Sequence, residues 1–350
     1  MRAEKQVVAN LKKPYAVAAF DYGGSRHVVC SAEKAGPCYS FSLEGRIEDT
    51  IWEQPGGVMT ILQYPLSESM LMATQNFFSP DQSASAKIVY YRRNGPAWSC
   101  NVLCEMPFVH RFGVLRRNNS YYLIACTIKS ASAFEEDWTC PGRVWVSGLP
   151  NDLTKYNSEN QLQMTPFMSG LYKNHGFSIV DWEEGTYAMI GTDNGVYRIF
   201  PPSSEGGSWS YDQILSDPVS DMLYQDYDGD GERELLTLSP FHGDTLSVYK
   251  RQGGKFSKIW ERKEKMPFIH ALCGADIEGK EYAFIGHRKG NMDLVALHYD
   301  NDSGYKIDLI DSGHGPANCM YFRDSAEKHK LIVSNRETDE VAFYTLIPDD

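Results

Sequence analysis

The 350-residue sequence predicts an all-β fold, because three features indicate many short strands rather than helices. The 21 tyrosines and 16 phenylalanines favour strands. The 29 glycines and 17 prolines suit a chain with many turns. Apolar segments recur with a period of about 40 to 50 residues, which is typical of solenoids and propellers. No helical pattern of any length interrupts this repeat.

Seven units align on their first strands. In each unit a second apolar strand follows, then a loop, and then a third strand rich in aromatic residues. Seven such units predict one seven-bladed β-propeller over residues 1–350, with four strands in each blade. The first strands are "PYAVAAFDY" (from residue 14), "GGVMTILQY" (56), "PFVHRFGVL" (107), "NHGFSIVDW" (174), "PVSDMLYQDYDGDG" (218), "PFIHALCGADI" (267) and "GPANCMYFRD" (315).

The two ends of the chain predict how the ring closes. The last unit ends in "EVAFYTLIPDD" without a fourth strand, and "EKQVVANL" at residues 4–11 is a spare strand before unit one. Pairing the two would remove an open sheet edge. We therefore expect the N-terminal strand to be the outer strand of blade seven.

Composition limits the partners and the compartment. A net charge of −12 argues against a general nucleic-acid or membrane-surface binder. No stretch approaches 18 apolar residues, and the N-terminus lacks the apolar core of a signal peptide. The eight scattered cysteines favour buried free thiols over disulfides. These features predict a cytoplasmic protein that is a monomer or small homo-oligomer.

Histidines concentrate at one predicted mouth of the channel. In a propeller, the loop before the innermost strand and the loop after the second strand lie on the same face. His110, His175 and His270 stand at nearly the same place near the first strands of units three, four and six. His242 and His287 follow second strands. Five of nine histidines are thus predicted at one rim, although any single one could simply cap a loop.

Two chemistries suit clustered imidazoles. Three neutral histidines can hold a divalent metal such as zinc, manganese or calcium with one position open for substrate. One histidine can instead act as a general base on a proton next to a carbonyl group. We expect His242, His270 and His287 to bind the metal, with His110 or His175 as the base, although any three of the five could be the ligands.

Other rim residues could contact a bound substrate. Arg288 and Lys289 could stabilise a developing negative charge or bind an acidic group, and Arg288 is therefore a catalytic candidate; the alternative is a solvated turn. Amide, aromatic and basic side chains in the neighbouring loops complete a candidate binding pocket. These further substrate-binding candidates are Tyr15, Gln75, Lys129, Trp138 and Arg336.

An acidic turn in unit five predicts a calcium site. "DYDGDGERE" places carboxylates at Asp226, Asp228, Asp230 and Glu234. Hard oxygen ligands at alternating positions suit Ca²⁺, but Thr237 stands where a complete EF-hand has an acidic residue. The turn joins strands one and two, so we expect a structural ion on the face opposite the histidines. The alternative is an Asp- and Gly-rich turn without an ion.

The same turn, followed by its neighbours, resembles a known family. D-x-D-G-D-G-x-x-E after an apolar strand is similar to FG-GAP/VCBS propeller repeats. "PFHGDTLSVYK" (240–250), "PFIHALCGAD" (267–276) and "IGHRKGNMDL" (285–294) resemble the propeller domain of aldos-2-ulose dehydratase and related sugar or polysaccharide lyases. The resemblance implies a carbon–oxygen lyase that dehydrates or β-eliminates a keto-sugar or a uronate-containing saccharide. The acidic turn is missing from units one, six and seven, so several calcium sites are not implied.

Two other functional classes stay open. A non-catalytic propeller that binds carbohydrate or protein would have the same fold, because fold alone does not determine function. Glycoside hydrolysis would need two opposed carboxylates, and the sequence places no such pair on the rim.

Overall fold

The computed structural model describes residues 1–204 and 206–348. In this part of the chain the regular structure consists of 28 β-strands and one short 3₁₀ turn, Arg336–Thr338. Among these residues no helix is long and apolar enough to cross a membrane. The predicted all-β fold is confirmed.

The described residues form seven four-stranded sheets, which are the blades of a propeller. The chain begins with β1 (Arg2–Asn10), which belongs to the last blade. Within each blade, strands adjacent in sequence pair antiparallel. Blade one consists of β2 (Pro14–Tyr22), β3 (Ser25–Ala32), β4 (Cys38–Phe41) and β5 (Ile47–Trp52). Blade two consists of β6 (Ile61–Gln63), β7 (Met70–Gln75), β8 (Lys87–Asn94) and β9 (Ala97–Glu105). Blade three consists of β10 (Val109–Arg117), β11 (Ser120–Lys129), β12 (Pro141–Gly148) and β13 (Thr165–Leu171).

The remaining blades follow the same order. A single residue pair, Arg117 with Gly185, links the sheets of blades three and four. Blade four consists of β14 (Gly176–Trp182), β15 (Gly185–Thr192), β16 (Gly195–Phe200) and β17 (Ser210–Leu215), and blade five of β18 (Asp221–Gln225), β19 (Glu234–Ser239), β20 (Thr245–Gln252) and β21 (Lys255–Glu261). Blade six consists of β22 (Ile269–Ile277), β23 (Lys280–His287), β24 (Leu294–Asp300) and β25 (Gly304–Asp311). Blade seven consists of β26 (Pro316–Arg323), β27 (His329–Asn335), β28 (Glu340–Ile347) and β1.

The N-terminal strand closes the ring as predicted. β1 pairs antiparallel with β28, in a register that runs from Arg2 opposite Ile347 to Asn10 opposite Glu340. The amino group of Met1 also lies 2.9 Å from Asp308 of blade six. The last blade is therefore completed by the first residues of the chain.

Burial explains why the sequence pattern differs between strands of one blade. Second strands are covered on both faces by neighbouring blades, so β7 ("MLMATQ") is buried at every position. Outer strands have one face in solvent, so β21 ("KFSKIWE") carries exposed polar residues. All eight cysteines are free thiols. The core thus consists of the apolar layers between blades.

Candidate functional site at the channel mouth

Each blade has one equivalent residue at the start of its innermost strand. In six blades the residue two positions earlier has a positive φ, which turns the chain into the strand. These turn residues are Lys13, Gly57, Phe108, Lys173, Phe268 and Gly315. The seven equivalent residues, called the channel ring below, are Tyr15, Met59, His110, His175, Ser220, His270 and Ala317.

β-Bulges set the direction of several channel-ring side chains. The pairing of the first and second strands skips one residue in blades three, six and seven. The skipped residues are His110, His270 and Ala317. A bulge bends its strand and re-aims a side chain, and bulges are common beside active sites. The local backbone therefore presents these positions differently from ordinary strand residues.

Four imidazoles meet at the mouth and form what we call the histidine cluster: His110, His175, His242 and His270. The ring centroid of His175 lies 4.6 Å from His110, 5.3 Å from His242 and 5.3 Å from His270. Three members belong to the channel ring, and His242 arrives from the loop between β19 and β20. Residues from four consecutive blades thus share one small volume.

Hydrogen bonds determine which nitrogen carries the proton in two of these rings. Nδ1 of His175 lies 2.9 Å from the carbonyl oxygen of Ser220, and Nδ1 of His270 lies 2.6 Å from that of Ala317. Because a carbonyl only accepts, each Nδ1 donates and each Nε2 keeps a lone pair. The Tyr15 hydroxyl, 3.0 Å from Nε2 of His270, donates to that lone pair, and a metal ion bound by this nitrogen would replace the hydrogen bond and release the hydroxyl. Both accepting carbonyls belong to the channel-ring residue of the next blade.

Three members of the cluster can bind a metal ion together. One ring nitrogen each from His175, His242 and His270 lies within 4.8 Å of the other two. Nε2 of His175 is buried and has no hydrogen-bond partner among the described residues, which fits a ligand role. From the sequence we predict His287 rather than His175 as the third ligand, whereas the trio in the structure contains His175. In the structure Nε2 of His287 instead lies 3.3 Å from a carboxylate oxygen of Asp293.

Burial keeps the cluster neutral. It lowers the pKa of His175 to about 3 and lowers the pKa of the other three imidazoles well below their usual value. The positive charges of Arg111 and Arg288 act in the same direction on His175 and His270. Neutral imidazoles are what metal binding and proton abstraction require. The nearby cations also favour an anionic ligand.

Basic side chains border the cluster on one side. The guanidinium carbon of Arg288 lies 4.6 Å from the ring centroid of Phe268, and the Lys289 ammonium lies 5.3 Å from it. Phe268 stacks on the His242 imidazole, with ring centroids 4.3 Å apart. Arg288 also pairs with Glu337 at 2.8 Å. The predicted cationic rim therefore lies directly beside the histidines.

Two other predicted contact residues have partners of their own. Gln75 is buried in blade two, where its amide donates to the hydroxyl of Tyr91. Lys129 is also buried and pairs with Asp81, and its ammonium lies 4.2 Å from the ring centroid of Trp138. The polar groups of Gln75 and Lys129 are therefore engaged by partners within the protein.

Trp138 and Arg336 lie nearer the surface of the mouth. The Trp138 ring centroid is 5.1 Å from that of Phe241, which stacks on the His242 imidazole at 3.8 Å. Arg336 forms ion pairs with Glu33 and Glu337. An aromatic wall therefore extends from Trp138 to the cluster, whereas the charge of Arg336 is already balanced.

Sequence reasoning missed two charged residues beside the cluster. Arg111 donates from Nη1 to the carbonyl of Met59 at 2.7 Å. Burial raises the pKa of Asp221 to about 6, although Arg111 opposes this rise. Both residues directly follow channel-ring residues, His110 and Ser220. The alignment of the seven units could therefore have identified them.

The acidic turn lies on the face opposite the histidine cluster, and the ammonium group of a lysine side chain lies among its carboxylates. The carboxylates of Asp226, Asp228, Asp230 and Glu234 approach within 4.8 Å of one another. The Lys250 ammonium lies among them, 2.6 Å from Asp228, 2.7 Å from Asp230 and 2.7 Å from Glu234. Burial opposes the charged form of Lys250, but these three hydrogen bonds raise its pKa overall. The oxygen ligands suit calcium, and a bound Ca²⁺ would compete with this ammonium.

Comparison with known proteins supports the fold. No family profile and no curated protein matches the chain. A glucose dehydrogenase structure is similar with a TM-score of 0.53 and 11% identity, covering 99% of this chain and 100% of that chain. The Cps50 (Swd1) β-propeller domain of Myceliophteria thermophila has a TM-score of 0.59 and 11% identity, covering 98% of this chain and 100% of that chain.

BBS1N, solved in complex with ARL6DN, has a TM-score of 0.60 and 10% identity, covering 99% of this chain and 97% of that chain. Such low identities carry information about architecture alone. What these likenesses establish is that the chain is a β-propeller.

Proposed function

We propose that this chain is a carbon–oxygen lyase that dehydrates or β-eliminates a keto-sugar or a uronate-containing saccharide at the channel mouth. The histidine cluster carries the proposal, because four neutral imidazoles contact one another and are bordered by arginine and lysine. A neutral imidazole can accept a proton from carbon, and a neighbouring cation can stabilise the resulting enolate.

The resemblance to sugar lyases supports the same reaction class. The segments similar to the propeller of aldos-2-ulose dehydratase are residues 240–250, 267–276 and 285–294. They contain His242, His270 and Arg288, which all lie at this mouth. The likeness and the geometry thus favour one site.

His110 is the base in this proposal. Its Nδ1 is buried and has no hydrogen-bond partner among the described residues, and its ring contacts His175 without belonging to the ligand trio. Burial is the main cause of the low pKa of His110, and the charge of Arg111 lowers it further. An anionic substrate would offset the charge of Arg111 and so raise this pKa. Substrate binding would therefore bring the base closer to its working range.

The other side chains have complementary tasks. Arg288 and Lys289 bind the acidic group of the substrate, and the Tyr15 hydroxyl can return a proton to the departing oxygen as the C–O bond breaks. A divalent ion held by His175, His242 and His270 would polarise the substrate oxygen next to the carbon that loses its proton. Imidazole donors favour zinc over manganese or calcium here.

Metal content and product formation together test the proposal. Purified protein is analysed for bound metal and incubated with keto-sugars and uronate oligosaccharides, while the absorbance of a conjugated product is followed. His270→Asn should lose metal and turnover together. His27→Asn is the matched control, because His27 pairs with Glu48 away from the mouth, and it should retain both. A native protein with neither metal nor turnover would contradict the proposal.

A non-catalytic binding propeller is the second candidate. It would have the same fold, because fold alone does not determine function, and BBS1N is a propeller of similar fold that was solved in complex with ARL6DN. A binding propeller would retain saccharide or protein affinity without changing the ligand chemically. Calorimetric binding with full recovery of the intact saccharide would support this candidate instead.

A further inference from the structure

We propose that Cys273 and Cys319 form a redox-active pair that closes into a reversible disulfide between blades six and seven. Their Sγ atoms lie 3.2 Å apart. Bonded sulfur atoms are about 2.05 Å apart, so a small approach of the two strands suffices. The pair lies outside the histidine cluster and has no part in the proposed lyase reaction.

The two thiols belong to neighbouring strands of different sheets, which pack against each other but do not pair through backbone hydrogen bonds. Cys273 lies in β22 and Cys319 in β26, the innermost strands of two separate sheets. Ala271 and Ala275 pack in the same apolar cluster, and their small side chains let the strands come close. Cys273 is partly exposed and Cys319 is only 6% exposed. A small oxidant can therefore reach Cys273 first.

Hydrogen peroxide provides a balanced reaction. The thiol of Cys319 donates towards the sulfur of Cys273, and the reactive form of the more accessible Cys273 is its thiolate. This thiolate attacks peroxide, so that a sulfenic acid forms and hydroxide leaves. The sulfur of Cys319 then attacks the sulfenic sulfur and expels its oxygen as water. Two thiols and one peroxide become one disulfide and two waters, and a thiol reductant reverses the change.

The same two strands position part of the histidine cluster. His270 precedes Cys273 by three residues in β22, and Ala317 precedes Cys319 by two in β26. Nδ1 of His270 donates to the carbonyl of Ala317 across this junction. Closing the disulfide would therefore act on the strand spacing that orients His270. This consequence for activity depends on the proposed function, whereas formation of the disulfide does not.

Peptide mapping tests the pair directly. The full chain carrying Cys100→Ser and Cys140→Ser, which removes two other accessible thiols, is treated with stoichiometric peroxide and digested without reduction. We expect one linked peptide pair joining Cys273 and Cys319, and its loss after dithiothreitol. Because the bond closes a loop between residues 46 apart, Tm should rise by about 5 °C.

Cys319→Ser in the same background should yield no linked peptide and no rise in Tm. Sulfenic or sulfinic acid at Cys273 without the linked peptide would overturn the proposal, and so would a link to another cysteine. Either failure would leave turnover by the reduced protein unchanged, so it is distinguishable from failure of the proposed lyase function.

Discussion

Replacing Lys250 by methionine should destabilise the protein through the acidic turn. Methionine keeps an unbranched apolar stem but removes the ammonium that lies 2.7 Å from Glu234. The Glu234 side chain has 0% exposure, and that of Lys250 has 15%. The substitution therefore leaves a buried carboxylate without its counter-ion.

The structure sets the expected magnitude. Removing one partner of a buried ion pair costs about 3 to 5 kcal/mol, and we take about 3 because water can partly reach this site. A chain of 350 residues has an unfolding entropy of about 0.7 kcal/mol/K, at about 2.1 cal/mol/K per residue. Dividing the two gives a fall in Tm of about 4 °C.

Lys258→Met is the matched control. Lys258 lies on the adjacent strand β21 and pairs with Glu261 at 2.7 Å, but the two side chains are 42% and 40% exposed. An exposed pair contributes less than about 1 kcal/mol, so Tm should fall by no more than about 1 °C. The comparison separates burial of the pair from the loss of a surface charge.

Differential scanning calorimetry in EDTA and in calcium completes the test. In EDTA, Lys250→Met should melt about 4 °C below the native protein. Calcium should stabilise this variant more than the native protein, because the competing ammonium is gone. Melting of Lys250→Met within a degree of the native protein in EDTA would refute the reasoning. Equal stabilisation of both proteins by calcium would show that the ammonium does not compete.

Three further predictions concern the closure of the ring by β1, the burial of the histidine cluster and the assignment of His110 as the base. Deleting residues 1–12 should expose the edge of β28 and cause aggregation on gel filtration; unchanged solubility and melting would contradict this. The free energy of unfolding should fall as pH drops below about 6.5 towards 3, because the histidines of the unfolded chain bind protons that His175 (pKa about 3) and its cluster neighbours do not bind in the folded protein. The loss is about 1.4 kcal/mol per pH unit for each such proton. A Tm that stays constant from pH 7 to 5 would count against the buried neutral cluster. His110→Gln should keep bound metal but lower kcat by about 10²–10⁴-fold in the absorbance assay; native turnover would exclude His110 as the base.

The repeat made the fold and one face of the site predictable. Each first strand begins near a turn, so aligning the seven units placed His110, His175 and His270 at equivalent positions. The spare N-terminal strand likewise predicted the pairing of β1 with β28. Both results depend on periodic features of the chain, which a single sequence carries.

Contacts between side chains from different parts of the repeat were not predictable in this way. His287 is the last residue of β23, where the Asp293 carboxylate lies 3.3 Å from its ring, whereas His242 lies in the loop after β19. Gln75 ends β7 but its side chain turns into the blade. Lys250 lies on the third strand, and only the pairing of β19 with β20 brings it to the acidic turn. Such details depend on rotamers and strand register rather than on the repeat.

The position of a bound saccharide tests the central claim most directly. Crystals of the protein are soaked with a keto-sugar or with an unsaturated uronate product, and the ligand is located by difference density. The account predicts density at the histidine cluster, with the acidic group towards Arg288 and Lys289 and the reacting carbon next to His110. Density at any other place on the propeller, in a protein that turns the saccharide over, would contradict it.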